Sequence, residues 1–540
     1  MVGAPADPPG TNVRGGGSGA SWRLLLPSPA PERTVILGPI SAADRRALTD
    51  AGGSVAVIRR RWGWWHRRDV QTRGAVDRSR IEDGSADALI VIGTRGIRAL
   101  RHPAVLREMK RVCSSETVVY VQHRGEDASD PVDLLARPIR ERLRVGTTGG
   151  DLRWAAPAVD AAAVGAARTL GTTVGGGLRV RAGRIGHMIR AWIRPDPDVA
   201  ELRSASEIGH PPRYLREVAA ESEISLDGRR WAMTIPGLYT SNKALFLLFP
   251  ETGSDPDLVI KVARTPSQTP RLERESTALR ALSGTRWIEA GSAPRELFFG
   301  LHAGIAVLGE TAVIGDPFRR RTTAEPGCMF AADAVERLIA LGQETATAGS
   351  ASQLGSRLLD LLERYRQLYR PTPRHTAFLR AQIARIGSAD AVPRVFQHGD
   401  PGAWNIVVRA DGTAAFLDWE AADPGGVPLW DLFYFLRSFA VTVSRAHGID
   451  DALTGIRRAL LEPSGLADVI AGATRRACGA IGIPNSLVGP LFATCWMHRA
   501  VKQAARLPRS RLRRGHYHRL LTITIDEWQS AGLRRLFADG

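Results

Sequence analysis

The sequence predicts two kinds of fold in one chain, an α/β domain followed by an α+β domain of two lobes. Over residues 21–125, short apolar, β-branched runs alternate with helical patterns. Over residues 225–312, strand-like runs predominate and one helical pattern interrupts them. From Ala331 onward, helical patterns dominate to the end. This order favours a doubly wound sheet first, then a small β-rich lobe and a helical lobe.

Length and composition are those of a multidomain globular protein. The chain has 540 residues, of which 44% are hydrophobic and 24% charged. Its four cysteines are scattered without C-x-x-C or zinc-finger spacing, which argues against a disulfide framework or a zinc site. The first residues, 1–20, are rich in Gly, Pro and Ala and predict a disordered tail without a signal-peptide core. We therefore expect a cytoplasmic protein.

The net charge of +18 has two explanations that the sequence leaves open. Arginine supplies most of it, which fits an anionic partner or the residue usage of a high-GC genome. The basic run His498–Arg519 lacks a base-stacking pattern, so no nucleic acid is expected. Contact with a membrane surface stays open, although no stretch is apolar for the roughly 18 residues of a membrane span. The oligomeric state is not predicted.

Residues 21–150 predict a Rossmann-like α/β domain. "TVILG" (Thr34–Gly38) and "ADALIVIG" (Ala86–Gly93) read as buried parallel strands, and "IRALRHPAVLREMKRVC" (97–113) reads as helical. A methyltransferase-like domain has the same alternation, but Gly38 is the only glycine after the first strand. A degenerate, non-catalytic domain is therefore favoured. Residues 151–224 are interpreted as a connecting segment.

Residues 225–312 predict the small lobe and residues 313–540 the helical lobe. "RRWAMTIPG", "SNKALFLLF" and "DLVIKVAR" read as three strands before a helix at Pro270–Gly284, and "RELFFGLHAG" and "IAVLGETAV" follow as two more. The apolar helix around "LWDLFYFLRSF" is interpreted as core.

"HGDPGAWN" (His398–Asn405) is the stretch that carries chemistry. The segment "NIVVRADGTAAFLDW" after it reads as a hairpin with an Asp-Gly turn. That hairpin would bring Asn405 beside Asp418, with Asp400 on the loop before them. Few, hard oxygen ligands suit a magnesium ion that takes its other ligands from water and phosphates.

Phosphoryl transfer requires such a set of groups. One carboxylate accepts the proton of the attacking hydroxyl, and an Asn and an Asp hold the metal. The spacing of Asp400 and Asn405 is that of the protein-kinase catalytic loop. A cation is also required on the phosphates, and Lys261 in "LVIKVAR" lies in a strand that needs an anionic partner. Glu275 is the first candidate for that partner and Glu273 the second.

The chain resembles the aminoglycoside phosphotransferase and choline kinase family, small-molecule kinases of protein-kinase-like fold, over roughly residues 225–530. His398, Gly399, Asp400 and Asn405 match its HGD…N loop, and "DWE" at 418–420 matches its metal-binding segment. The resemblance implies a bilobal kinase-like fold. It implies that Asp400 is the catalytic base and that Asn405 and Asp418 are the two magnesium ligands. It also implies that Lys261 binds the phosphates and that Glu275 is its acidic partner. It also implies that Asp431 in "PLWDL" anchors the catalytic loop.

Further assignments complete the predicted site. No glycine-rich loop precedes Lys261, and Ser241 and Asn242 are candidate phosphate contacts in its place. Backbone groups around Glu310 are expected to hold the nucleotide base. His398 is interpreted as a structural hydrogen-bonding group, and Glu420 as a supporting group or a metal neighbour. Trp404 stands where the family often has glycine, and we expect it to narrow the acceptor side.

The predicted function is transfer of the γ-phosphate of ATP or GTP, with Mg²⁺, to a hydroxyl of a small-molecule or glycan-type acceptor. Two alternatives stay open. One is a non-catalytic, nucleotide-regulated scaffold, and the other is a bifunctional protein whose N-terminal domain transfers a methyl group. The sequence does not identify the acceptor, because acceptor choice depends on the helical lobe, whose pattern encodes no readable specificity.

Overall fold

The computed structural model describes residues 20–38, 40, 48–49, 53–61, 64–70, 81–123, 141–148, 151–173, 198–203, 210–235 and 243–537. The described residues fall into two compact units. One lies within residues 13–273 and 296–312, and the other within residues 274–295 and 313–540. We call them the sheet unit and the helical unit.

The sheet unit is built on one sheet of thirteen strands in the order β12-β13-β11-β10-β9-β7-β6-β8-β5-β4-β1-β2-β3. These strands are β1 Arg33–Leu37, β2 Ser54–Arg61, β3 Trp64–Val70, β4 Ala86–Ile92, β5 Cys113–His123, β6 Glu141–Thr148, β7 Asp151–Pro157, β8 Asp198–Arg203, β9 Arg230–Thr234, β10 Lys243–Phe249, β11 Leu258–Ala263, β12 Glu296–His302 and β13 Ile305–Thr311.

The first part of this sheet is parallel, as predicted for an α/β domain. β1 pairs in parallel with β2 and β4, and β4 with β5. Over 97–113, which the sequence predicts to be helical, the chain forms the end of α1 (Gly93–Leu100) and then α2 (Pro103–Val112). Pro103 lacks a backbone N–H and restricts the residue before it, so a helix begins there and cannot run through.

The residues predicted to connect two domains contribute to the sheet instead. β7 and β8 lie within 151–224, and so do α3 (Ala161–Thr173) and α4 (Arg213–Ala220). β7 pairs antiparallel with β9 through Trp154 and Ala155, which joins the parallel part to the five strands of the predicted small lobe. Those five strands form in the predicted places. The domain boundaries drawn from the sequence stay a prediction.

The helical unit carries most of the helices. α5 (Thr269–Leu282) enters it from the sheet unit, and the later helices are α6 Arg286–Glu289, α7 Phe318–Arg321, α8 Met329–Thr345, α9 Ala351–Tyr369, α10 Pro373–Gly387, α11 Trp430–Ala446, α12 Ala452–Leu460, α13 Gly465–Ile481, α14 Val488–Ala504, α15 His516–Asp526 and α16 Ala531–Phe537. Five short strands accompany them: β14 Asp316–Pro317, β15 Val395–Gln397, β16 Ile406–Val408, β17 Ala414–Phe416 and β18 Asp423–Gly426.

Helix α11 lies at the centre of the helical unit. Its aromatic residues Trp430, Phe433, Phe435 and Phe439 are all buried, as the apolar pattern predicted. In the described part of the chain, no helix is both long and apolar enough to cross a membrane.

Candidate active site

The HGD loop is shaped by a glycine and a buried carboxylate. Gly399 has φ +76°, and a Cβ there would overlap the backbone carbonyl of Ala421, so only glycine fits. Asp431, in the first turn of α11, accepts hydrogen bonds from the backbone N–H groups of His398 (2.6 Å) and Gly399 (3.2 Å). Lys502 of α14 donates to the Gly399 carbonyl at 3.1 Å. Two backbone N–H groups and one backbone carbonyl of the loop are therefore hydrogen-bonded to the side chains of Asp431 and Lys502.

His398 is a buried structural group with one defined tautomer. Its Nδ1 accepts the backbone N–H of Asp400 at 3.2 Å, so the proton lies on Nε2, which donates to the Leu417 carbonyl at 3.0 Å. Burial lowers the pKa of His398, and the imidazole is neutral at physiological pH. The ring also packs on Trp419, with centroids 4.4 Å apart. His398 thus joins the catalytic loop to the segment of Asp418.

The predicted hairpin forms and brings the two candidate magnesium ligands together. Ile406 pairs with Phe416 across β16 and β17, and the Leu417 N–H donates to the Asn405 carbonyl at 2.8 Å. Asn405 therefore lies just before β16, at the end of the hairpin where Asp418 lies just after β17. Asp418 has φ +70°, an uncommon backbone conformation that turns the chain away after the strand.

Asn405 is oriented by Asp400. Its Nδ2 donates to the Asp400 carbonyl at 2.9 Å and lies 3.5 Å from Asp400 Oδ2. With the amide nitrogen used in this way, the Asn405 Oδ1 is the atom available for a cation. An amide oxygen and one carboxylate fit Mg²⁺, which keeps several waters. Among the described residues no group of three or more His, Cys, Asp or Glu side chains could hold a metal.

Glu275 supports the segment of Asp418 from α5. It is fully buried, and its Oε1 accepts the backbone N–H of Trp419 at 3.0 Å. Next to it, the Glu420 carbonyl accepts from the Arg274 Nε at 3.4 Å. The sequence did not predict the contact with Trp419. The predicted pairing of Glu275 with Lys261 joins the two units and stays a prediction.

Lys261 has a carboxylate partner within the sheet unit that sequence reasoning missed. Its Nζ lies 2.7 Å from Glu310 Oε1, and both side chains are about 5% exposed. In the register of β11 and β13, Lys261 lies opposite Leu308, two residues from Glu310, so the pair is diagonal. The sequence assigned Glu310 to the nucleotide base and not to Lys261. Ser241 and Asn242, the predicted phosphate contacts, lie outside the described residues.

Arg499 is the second group that the sequence did not single out. It is buried, its Nη1 lies 3.6 Å from Asp400 Oδ1, and its guanidinium lies 3.3 Å from the centre of the Tyr434 ring. The signal was hidden in the basic run, where Arg499 looks like any other arginine. A cavity of about 360 Å³ borders Gly399, Arg499 and Lys502. That volume is at the lower end of small-ligand pockets.

Comparison with known proteins finds a matching family. The model of the phosphotransferase enzyme family matches residues 241–462. A search of curated proteins finds no match. An aminoglycoside phosphotransferase from Streptomyces rimosus is 19% identical over 54% of this chain and 97% of its own, with a TM-score of 0.32.

Two other solved structures show a comparably low sequence identity and TM-score. A glucosamine kinase in complex with glucosamine, ADP and inorganic phosphate is 15% identical over 61% of this chain and 88% of its own, with a TM-score of 0.37. An ethanolamine kinase from Plasmodium vivax is 13% identical over 56% and 83%, with a TM-score of 0.36. These likenesses are too distant for site geometry to be transferred. Residues 241–462, which contain the HGD loop and its hairpin, match the model of the phosphotransferase enzyme family, and the chain is a small-molecule kinase, as its sequence predicted.

Proposed function

We propose that the chain transfers the γ-phosphoryl group of ATP to a hydroxyl of a small-molecule or glycan-type acceptor. The observation that carries this proposal is the contact set around Asn405. Its side chain is bonded to Asp400, and its carbonyl receives the N–H of the residue before Asp418. One loop and one hairpin thereby bring Asp400 next to Asn405 and to the segment of Asp418, which supports their proposed roles as catalytic base and magnesium ligands in phosphoryl transfer.

In this mechanism Asp400 accepts the proton of the attacking hydroxyl. Asn405, held through its Nδ2, and Asp418 are the residues that would hold Mg²⁺, which supplies charge neutralisation on the phosphates. Lys261 binds the phosphates, with Glu310 limiting the ways in which its side chain can turn. Glu275 and Asp431 position the Asp418 segment and the HGD loop through backbone N–H groups. Ser241 and Asn242 remain proposed contacts of the phosphates, and the backbone near Glu310 of the base.

For the N-terminal part we propose a Rossmann-like domain without methyltransferase activity. The parallel order β2-β1-β4-β5 supports the first half of this proposal. The lone Gly38 supports the second half, because it has φ +116° and a Cβ there would overlap the Ile92 carbonyl. Close packing explains this glycine without a cofactor. Calorimetry of the whole protein with S-adenosylmethionine tests it, and a binding heat would contradict it.

The catalytic role of Asp400 is tested by Asp400→Asn. The protein is incubated with ATP, Mg²⁺ and a metabolite extract, and phosphorylated products are identified by mass spectrometry. We expect the variant to lower product formation by roughly 10²–10⁴-fold, the contribution of a general base. Asp411→Asn is the matched control, because Asp411 is exposed in the turn of the same hairpin. Full turnover in Asp400→Asn would show that another group is the base, and absence of any product from the wild type would favour the scaffold.

A further inference from the structure

A continuous set of aromatic and arginine side chains extends from Asp400 across the helical unit. Tyr434, on which Arg499 stacks, lies edge-on to Trp404 at 5.9 Å and accepts a hydrogen bond from Tyr517 at 3.1 Å. The Trp404 side of this set is open, with 44% of that residue exposed. Its indole lies over Gly402, where any Cβ would overlap the ring. The loop sequence therefore fixes a flat apolar face beside Asp400, the proposed catalytic base.

Arginines surround this face. Arg319 stacks on Trp404 at 5.4 Å, and Arg437 stacks on Tyr517 at 5.2 Å. Arg445 lies about two helical turns beyond Arg437 on α11, and its charge lowers the pKa of both of the other arginines. We call Trp404, Tyr434, Tyr517, Arg319, Arg437, Arg445 and Arg499 the arginine–aromatic surface.

The charge on this surface is not balanced within the described part of the chain. No ion pair there involves Arg319, Arg437 or Arg445. Partial burial lowers the pKa of Arg319, and the charges of Arg445 and Arg437 lower it further. Like charges brought together in this way repel one another, so their arrangement costs free energy that a bound anion would recover.

Arg437 carries an unused donor. The residue is only 9% exposed, its Nη2 contacts His516 Nε2, and its Nε has no hydrogen-bond partner among the described residues. A buried, unsatisfied N–H of a charged group is expensive, and it is rare unless a ligand or water completes it. The carboxylate whose charge acts on His516 is Asp451. It is occupied in capping α12, where it accepts from the Thr454 N–H at 2.8 Å.

We propose that the phosphoryl acceptor is an anion, a hydroxyl compound whose carboxylate or phosphate group is bound by Arg319, Arg437 and Arg445 while its carbon frame lies against Trp404. Guanidinium forks bind both oxyanions through paired, charge-assisted hydrogen bonds. The inference rests on the proposed function, since it names the class of molecule whose hydroxyl Asp400 deprotonates. It places cationic acceptors at a disadvantage, because they would be repelled by the same arginines.

The first experiment measures oxyanion binding without catalysis. The full chain, saturated with Mg²⁺ and a non-hydrolysable ATP analogue to fill the nucleotide site, is titrated calorimetrically with inorganic phosphate and with acetate at constant ionic strength. We expect at least one of them to bind, and the stronger one identifies phosphate or carboxylate as the acceptor's group. Arg319→Gln and Arg445→Gln, both exposed positions, should each weaken binding by about tenfold.

The control is Arg476→Gln, an exposed arginine of α13 that pairs with Glu336 and should leave the affinity unchanged. Arg437 is buried, unlike Arg319 and Arg445, and the conclusion does not depend on the variant Arg437→Gln. The proposal is overturned if neither anion binds, or if the two exposed variants bind the anion as tightly as the wild type does. It is also overturned if these variants weaken the binding of the ATP analogue instead of the binding of the anion.

The second experiment uses the acceptor itself. The metabolite extract is separated by anion exchange before the phosphorylation assay, and we expect acceptor activity in the retained fraction. Activity confined to the unretained fraction overturns the proposal while leaving the kinase function intact. If no fraction yields product, the proposed function fails, and the oxyanion titration still decides whether the surface binds anions.

Discussion

At the scale of single residues, the site depends on carboxylates that bind backbone N–H groups. Asp431 receives those of His398 and Gly399, and Glu275 receives that of Trp419. Each carboxylate is buried and lies far along the chain from its partners. Such groups fix loops without touching a substrate, and we regard both as positioning residues.

Asp431→Asn tests the positioning of the HGD loop. An amide offers only one acceptor oxygen, and its NH₂ group would face one of the two backbone N–H donors. We expect kcat to fall on the order of 10–100-fold, because small misplacements of a catalytic group are costly. Steady-state kinetics should show the KM for ATP within about twofold of the wild type. Asp468→Asn, an exposed aspartate in the first turn of α13, is the control. A parallel loss in nucleotide affinity would contradict a role confined to the loop.

At the scale of elements, the hairpin of β16 and β17 decides where the proposed metal ligands Asn405 and Asp418 lie. Its turn is closed by Asp411, which accepts from the Thr413 N–H at 2.9 Å, and by Gly412 at φ +86°. Asp333 of α8 accepts the N–H of Ala414 at 2.6 Å and ties the hairpin to the helical unit. Because strand register has a period of two, a slip by one residue would turn these side chains to the other face.

Gly412→Ala tests the turn. A Cβ at this position would meet only Phe330, at an ordinary 3.7 Å, so the cost is that of a left-handed backbone conformation. We expect the free energy of unfolding to fall by about 1–2 kcal/mol in urea titrations. Gly472→Ala in the interior of α13 is the control of opposite sign, with a gain of about 0.5–1 kcal/mol. Equal effects of the two substitutions would show that the turn conformation is not the cause.

At the scale of the whole molecule, one sheet of thirteen strands underlies the sheet unit, and it buries an acidic residue. Glu141 in β6 is 7% exposed, and its Oε1 has no hydrogen-bond partner among the described residues. Burial raises the pKa of Glu141 to about 7. The folded protein therefore keeps a proton that the unfolded chain releases at lower pH.

This shift predicts a pH dependence of stability. The stabilisation is complete below the unfolded pKa of Glu141, near 4.5, and is lost as the pH rises through about 7. The glutamine of Glu141→Gln does not titrate. Between pH 5 and pH 8 we therefore expect the free energy of unfolding of this variant to rise by on the order of 3 kcal/mol relative to that of the wild type. Urea unfolding at both pH values measures this difference. Glu116→Gln, exposed in β5, serves as the control, and an equal change there would refute the assignment.

The sequence by itself was enough to predict a small-molecule phosphotransferase. His398, Asp400, Asn405 and Asp418 are close in the chain, and an Asp-Gly turn with flanking β-branched runs is a local signal, so the hairpin and the positions of these residues beside it could be predicted. The same holds for the parallel strands of the first domain and the apolar helix α11, whose patterns are set by neighbouring residues.

Only the tertiary structure decided the partners of these groups. Glu310 beside Lys261, Trp419 on Glu275 and Arg499 beside Asp400 are contacts between residues far apart in the chain. The pairing of β7 with β9 is of the same kind. Local periodicity encodes which face of an element is buried, but it does not encode which distant element covers that face. The charge of the arginine–aromatic surface is likewise a property of how α7, α11 and α14 pack together.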